Sequence, residues 1–543
     1  MGQPVSSPLP RAFLVPAILA GALLLFLAFF YFLGGWSLGA KADLTLNNGA
    51  EPQTLDPAIL TGEPELRIVQ ALFEGLTSRN AKGEIIPGMA QSWTLSPDGI
   101  TYTFSLRPGV KWSNGDPVTA SDFVNSWERA LNPLTASQYS YQLYYLANGE
   151  AYGTGKLKDF SQVGVKAPDD HTLVITLAHP VGYFLELTTL PILYPVHLPT
   201  LKKYGPDWTK PGCIVSNGPY ILKDWRLNDY LLLEANPYYW RPVAIHRIKV
   251  LPTDNPTACF NLFYSKKTDL ILDKTSIPAE LVQEIKTKPY FHVNPFGATT
   301  FMRFNVKRKP FDDVRVRKAL ALALDKKDIV EKITRAGEPI ADTLVPPGSA
   351  GYTPPKGLGY NLDEARRLLA EAGYPNGKGF PDITMLYPAR SNWAQIATEI
   401  QALWRRDLGI SSITLRGQEW RVYLNTQQLM DFDCAVSDWI GDYNDPQTFL
   451  DMFVTDGGNN ETGWGDPQYD QMLATSESTV DPAQRMQIFQ NMEKLLVEDQ
   501  APIVPIYFWV GLCLYDPDKL GGLQPNFVDE HFWGEFYIPE KTK

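Results

Sequence analysis

Between residues 12 and 36 the chain has no charged side chain, and it passes through Leu23, Leu24, Leu25, Phe26, Leu27, Phe29, Phe30 and Phe32. No later stretch approaches the roughly 20 apolar residues that cross a bilayer, so everything after residue 42 has to fold in water. The run exceeds the ~7–15 apolar residues of an ordinary secretory leader, which favours a retained anchor. Ala40-Lys41-Ala42, however, fits the small-x-small pattern ahead of a signal-peptidase cut. Residues 1–42 are therefore either a signal peptide or an N-terminal membrane anchor. Arg11 is the positive flank that stays on the cytoplasmic side, so residues 43–543 are expected in the periplasm or its extracytoplasmic equivalent. No cysteine lies near the run, which excludes a cysteine-linked lipid anchor.

What has to fold is large: of 543 residues, 44% are hydrophobic, enough for a sizeable core in a chain that carries no repeats. Acids outnumber bases, 60 to 49, so a general nucleic-acid partner is not expected, because it needs a basic face to displace phosphate counterions. Cysteines 213, 259, 434 and 513 include no close pair, so neither a zinc knuckle nor a redox C-x-x-C motif can be drawn. The six histidines have no ligand spacing, and a metal site or a Ser-His pair would have to be assembled by the fold. No G-x-S-x-G elbow, H-E-x-x-H helix or phosphate-binding loop is present. No enzyme activity, cofactor or metal ion is expected.

Elements alternate in type along the chain. Residues 101–107 alternate with period two after the turn former Pro97-Asp98-Gly99, and residues 172–177 are apolar and β-branched; both read as strands. Residues 315–333 read as two helices broken near Asp325. Asn361 with Glu364 predicts a capping-box start to a helix closed by Gly373 and Pro375. Trp393, Ile396, Ala397, Ile400, Leu403 and Trp404 fall on one helical face, and Asp481-Pro482 opens a helix carrying Phe489, Met492, Leu495 and Leu496. These stripes are core. The chain reads as mixed α/β.

Outside those stripes the aromatic content is high, with 14 Trp, 26 Tyr and 26 Phe, most of it core and some of it available to wall a ligand. One loop stands apart. Residues 438–446, DWIGDYNDP, follow the apolar stretch 432–436 and set three acids among aromatics and turn formers. A solvated turn has this composition. So does a site that holds an ammonium group by a charge-assisted hydrogen bond in a mostly dry pocket.

Several segments carry a wider resemblance: NNGAEPQTLDP (47–57), LFEGL (72–76), PGMAQSW (87–93), LRPGVKWSNGDPVTASDF (106–123), SNGPY (216–220), NPYYW (236–240), PFDDVRVRKAL (310–320) and DYNDP (442–446). In this order the chain resembles the oligopeptide-binding receptors of bacterial ABC importers, the extracytoplasmic solute-binding proteins of the peptide and nickel class. The resemblance implies a two-lobed, hinged, type II periplasmic-binding-protein-like α/β fold with an additional third domain. By motif order, lobe I comprises residues 43–73, 200–297 and 510–543, the added domain 74–199, and lobe II 298–509.

The resemblance also implies a site. Peptide lies extended between the lobes and pairs with backbone, which tolerates many sequences, while hydrated pockets accept the side chains. Asp442 matches the aspartate that fixes the peptide ammonium, and removing it is expected to cost about 3–5 kcal/mol. Further ligand-binding positions fall on Thr61, Glu63, Tyr139, Asn261, Trp420, Trp439 and Ile440; Thr61 and Glu63 depart from the residue types of the familiar receptors. The basic residues that receive the peptide carboxylate there are replaced by Trp393, Gln427 and Val436, leaving Arg308 and Arg303 as candidate carboxylate partners, with surface ion pairing as their alternative. A disulfide near the pocket is absent, its positions being Ala298 and Ile440. The implied activity is capture without chemistry by a monomer that closes on peptide and docks on a membrane permease with cytoplasmic ATPases. An oligosaccharide, heme or nickel complex in the same fold is the first alternative, and an exported hydrolase or chaperone-like protein the second.

Overall fold

The period-two run at 101–107 becomes the strand Thr101–Leu106, which buries Tyr102, Phe104 and Leu106 and leaves Thr101, Thr103 and Ser105 partly exposed. The computed structural model describes Gly2 and residues 42–540 except 390, 391 and 480; for Trp420 and Arg421 it describes the backbone alone. The apolar run at 12–36 and the cleavage pattern at 40–42, as far as Lys41, lie outside the described residues. Among those described, no helix is long and apolar enough to cross a membrane. Strand Thr101–Leu106 sits between Ala90–Leu95 and Thr172–Thr176 in a four-stranded antiparallel sheet completed by Val165–Asp169. Helix Ala120–Leu131, started by a capping box of Thr119 and Asp122, buries Phe123 and Trp127.

The larger sheet has ten strands. From one edge they run Ile413–Gln418, Ile383–Pro388, Cys434–Ile440, Phe291–Phe304, Ile503–Tyr515, Leu270–Ile271, Leu44–Asn47, Arg247–Leu251, Tyr230–Ala235 and Tyr220–Arg226. Two of these are unusually long, and each serves both halves of the sheet. Phe291–Phe304 pairs antiparallel with Ile503–Tyr515 throughout, but the register shifts between Pro295 and Thr299. Beyond the shift, Ala298 to Phe304 pair with Cys434–Ile440; on the near side, Leu514 and Tyr515 pair with Leu270–Ile271. The two halves are thus joined by a pair of crossing strands whose ladder is broken where they pass from one half to the other. Gly297 occupies that gap. Its N–H donates to Phe527 O (2.6 Å) and its carbonyl accepts from Gly441 N–H (2.8 Å), and a Cβ there would sit 2.4 Å from the Phe527 ring.

The apolar cores divide the same way. One cluster joins the four-stranded sheet to the Leu44–Asn47 half, running through Leu46, Phe73, Phe104, Trp127, Tyr220 and Val250. The other half has its own clusters around Phe304, Ile400 and Trp404, and around Phe453, Phe489 and Leu496. The stripe from Trp393 to Trp404 is buried in helix Trp393–Leu408, and Asp481 caps helix Pro482–Glu493 by accepting from Gln484 N–H at 2.8 Å. The 315–333 reading resolves into helix Val314–Leu322 and a single wide turn at Ile329–Thr334. The capping box at Asn361 is only half formed. Asn361 accepts from Glu364 N–H (3.2 Å), but its own N–H already donates to Leu322 O (2.8 Å), so the Glu364 carboxylate turns to Arg367 instead.

Candidate functional site

A cavity of about 350 Å³ opens where the two halves meet. Its walls come from the start of helix Glu63–Leu72, from Tyr139 and Gln142, from the crossing at Phe296, Gly297 and Trp509, from Ile440 to Asp442, and from a C-terminal segment around Asp529. A second cavity of about 280 Å³ adjoins it, lined by Tyr141, Tyr145, Trp439, Tyr443 and Asp451 among others. Asp442 and Gln142 border both.

Strand Cys434–Ile440 delivers Asp442 to that junction. Immediately after the strand, Gly441 N–H is held by Gly297 O, and Asp442 N–H donates to Thr448 Oγ1 (3.0 Å). Trp439 Nε1–H donates to Thr448 O (2.7 Å). Tyr443 is buried against Tyr183, the rings 4.1 Å apart and nearly parallel. Below the loop, Arg485 holds the buried Asp445 carboxylate with two bonds of 2.5 and 2.9 Å and reaches Gln447 Oε1 at 3.0 Å. The loop is braced on both sides while the Asp442 side chain keeps solvent contact.

Desolvation by the surrounding walls pushes the Asp442 carboxyl up to about 6, although the side chain itself faces the open cleft. Asp451 is pushed further, to about 8, by burial first and then by the nearby charges of Asp442, Glu477 and Asp445. Both groups gain from a cation. The larger cavity is lined by Glu63, Asp273, Asp442, Asp529 and Glu530. The three basic side chains on its wall are all engaged: Arg67 with Glu63 (2.8 Å) and Asp273 (3.0 Å), Arg79 with Glu186 (2.6 Å) and Glu530 (3.4 Å), Lys274 with Glu338 (2.8 Å). The cleft is a field of carboxylates with no uncommitted Lys or Arg among its described lining residues.

A family model described as bacterial extracellular solute-binding proteins, family 5 Middle, matches residues 84–461. The chain belongs to that family. This family 5 protein is 37% identical over 516 residues to the periplasmic oligopeptide-binding protein OppA of Escherichia coli K12, covering 93% of this chain and 94% of that one. Among solved structures it matches the periplasmic murein tripeptide binding protein MppA in its unliganded open form, with a TM-score of 0.82 and 33% identity over 92% of this chain and 98% of the other. It also matches Haemophilus influenzae OppA in complex with RPPGFSPFR, with a TM-score of 0.72 and 32% identity over 92% and 100%. The family 5 protein has the two-lobed type II fold of these neighbours.

The structure brings Thr61, Glu63, Tyr139, Ile440 and Asp442 together on the larger cavity, and Trp439 onto the smaller. Glu63 is tied to Arg67, and burial pushes its carboxyl up. Ala298 and Ile440 are direct partners across the ladder, side by side where the resemblance placed a disulfide. Trp420 begins helix Trp420–Gln428, and its side chain lies outside the described residues. Asn261 is exposed on helix Pro256–Tyr264 and lines neither cavity. Neither candidate carboxylate partner lines either of these two cavities. Arg303 is buried, ion-paired with Glu461, and donates to Asn459 O (3.2 Å); Arg308 pairs with Asp431 and Asp433 at 3.2 Å each. Of the replaced basic positions, Gln427 donates to Ser437 Oγ (2.6 Å), and Trp393 and Val436 are buried core. Sequence reasoning missed Asp451, Asp529 and Glu530. Beside the 438–446 loop, the run SQYSYQLYY at 137–145, which supplies Tyr139, Tyr141 and Tyr145, was a further local signal of an aromatic wall.

Proposed function

We propose that this family 5 protein is an extracytoplasmic receptor that captures peptides through the N-terminal ammonium and passes them to a membrane permease of the ABC importer type. One observation carries the reading: Asp442 stands at the junction of two cavities, desolvated but open to the cleft, in a wall whose cations are all committed elsewhere. The relatives named for oligopeptides and for murein tripeptide support the ligand class.

In this reading the ammonium pairs with Asp442, the first side chain enters the aromatic cavity beside Asp451, and the peptide runs along the larger cavity past Tyr139, Ile440, Thr61 and Glu63. Because Asp442 faces a wet cleft, its contribution is that of a charge-assisted hydrogen bond, about 1.5–3 kcal/mol, rather than that of a fully buried pair. The hinge lies where the two long strands cross, with lobe II over residues 298–509 and the added domain over 74–199. Peptide favours the closed form by touching both lobes at once. The receptor acts as a monomer, performs no chemistry on its ligand and reaches its compartment through residues 1–42, as a leader or as an anchor that keeps it beside its permease. Native mass spectrometry of the chain without residues 1–42, followed by sequencing of released ligands, tests this. Short peptides with free N-termini are the expected result; an empty cleft with no thermal shift in a mixed peptide library contradicts it.

A further inference from the structure

On the two crossing strands Asn294 lies opposite Gly511, and His292 opposite Cys513. Residues two apart in a strand share a face, so Gly511, Cys513 and Asn294 address the same side of the sheet. Gly511 leaves a gap there, which the Asp529 carboxylate fills: a Cβ at 511 would lie 1.8 Å from Asp529 Oδ2. His531, two residues on, brings Nε2 to 3.2 Å from Asp529 Oδ1 and 3.6 Å from Cys513 Sγ. The Asn294 amide caps the group at 2.9 Å from Asp529 Oδ1, 3.3 Å from Cys513 Sγ and 3.4 Å from His531 Nε2. Cys513 and Asn294 are buried, and Asp529 and His531 form part of the wall of the larger cavity.

Hydrogen bonds hold this group together in the free protein. With His531 Nε2 protonated, it and the Asn294 amide both donate to Asp529 Oδ1 and the second amide N–H faces Cys513 Sγ, so no group is left unsatisfied. It is not a relay for a nucleophilic thiol, because Asp529 and Cys513 meet the same imidazole nitrogen, whereas a relay needs them on opposite ones. The same thiol, imidazole and carboxylate are also a donor set that can close on a cation. Ligands at about 2.0–2.3 Å from a tetrahedral ion stand about 3.3–3.7 Å apart. Between the ligand atoms, His531 Nε2 stands 3.2 Å from Asp529 Oδ1 and 3.6 Å from Cys513 Sγ, and all three lie within 4.8 Å of one another. The Asn294 amide presents Nδ2 to the group in the free protein and becomes a fourth ligand through its oxygen only by turning over as the ion enters.

We infer that Cys513, His531, Asp529 and Asn294 form a tetrahedral site for a zinc-class divalent cation in the floor of the cleft. Thiolate and imidazole select such an ion over magnesium or calcium, which take oxygen ligands only. Binding exchanges the Cys513 thiol proton for the metal and ties the C-terminal segment at 529–531, a wall of the larger cavity, to both crossing strands.

The test uses the full chain, stripped of metal and titrated with cobalt chloride as a spectroscopic stand-in for zinc. One equivalent is expected to bind with a thiolate-to-cobalt charge-transfer band and the strong visible bands of a tetrahedral ion, both erased by zinc. Cys513→Ser is expected to remove the charge-transfer band while Cys213, Cys259 and Cys434 remain, and His531→Ala to weaken uptake at least tenfold, with circular dichroism reporting the fold of each. Absence of the band in the unaltered chain at saturating cobalt, or its persistence in a folded Cys513→Ser variant, overturns the site.

Discussion

Asp442 combines two properties that a ligand-holding carboxylate needs: a desolvated setting that raises its affinity for a cation, and an opening through which the cation arrives. Because its carboxyl is pushed up to about 6 in the free protein, and an ammonium partner pulls it down again, peptide affinity is fully present above that value. It is lost as the pH falls below about 6, by at most tenfold per unit. Asp442→Asn should therefore weaken peptide binding at pH 7.5 by ~10- to 150-fold, equivalent to about 1.5–3 kcal/mol, and flatten the dependence between pH 7.5 and 5. Calorimetric titration across that range checks both, and an unchanged slope in the variant removes Asp442 from the contact. Asp442 was legible in the sequence because its loop is local: acid, aromatics and turn formers lie within nine residues. Asp451, Asp529 and Glu530 were not, because each sits among ordinary neighbours and acquires its meaning only when distant segments converge. Arg303 and Arg308 show the converse. Their charge looked available from sequence, but Glu461, Asp431 and Asp433, more than a hundred residues away along the chain, take it up.

At the scale of elements, the segments that carry the family resemblance are mostly structural joints. Glu74 of LFEGL accepts from Tyr239 Oη–H (2.7 Å) and Trp240 Nε1–H (2.6 Å) of NPYYW, while Asn217 of SNGPY bonds its backbone on both sides. Arg107 of the LRPGVKW segment stacks 3.7 Å over the Trp240 ring. These contacts tie the four-stranded sheet to the Leu44–Asn47 half of the large sheet, which is why the fold could be read so fully although most of these motifs, DYNDP apart, serve packing. A second joint lies at the end of helix Pro482–Glu493. There Glu493 is fully buried and accepts from Leu344 N–H and Val345 N–H (2.7 Å each) and from Tyr352 Oη–H (2.8 Å). Burial pushes its carboxyl up to about 7 from an ordinary value of 4.5. A folded-state value above the unfolded one means that its contribution to stability is full below about 4.5 and is lost as the pH rises through about 7. Thermal melts should show that loss, on the order of 3 kcal/mol at most, between pH 5 and 8.5. Glu493→Gln keeps the acceptor and should fall less over the same interval. Parallel slopes for the two proteins would refute the assignment.

For the whole molecule, the telling feature is the sign of the cleft. Five carboxylates line the larger cavity and every Lys and Arg among its described lining residues is ion-paired, a field that in the proposed reading suits the positive end of a peptide and commits nothing to the negative end. The replacement of basic residues by Trp393, Gln427 and Val436 pointed the same way from sequence; Trp393 and Val436 are packed in the core and the buried Gln427 amide is held by the Ser437 hydroxyl. What sequence could not supply was the junction itself, because it is built from both ends of the chain and from the break in two long strands. The most direct test of the account is a comparison of one peptide in three forms by calorimetry at pH 7.5: free, N-acetylated and C-amidated. The account predicts that acetylation lowers affinity by at least tenfold and that amidation changes it by less than about threefold. Equal binding of the acetylated form, or a loss on amidation as large as that on acetylation, would contradict it.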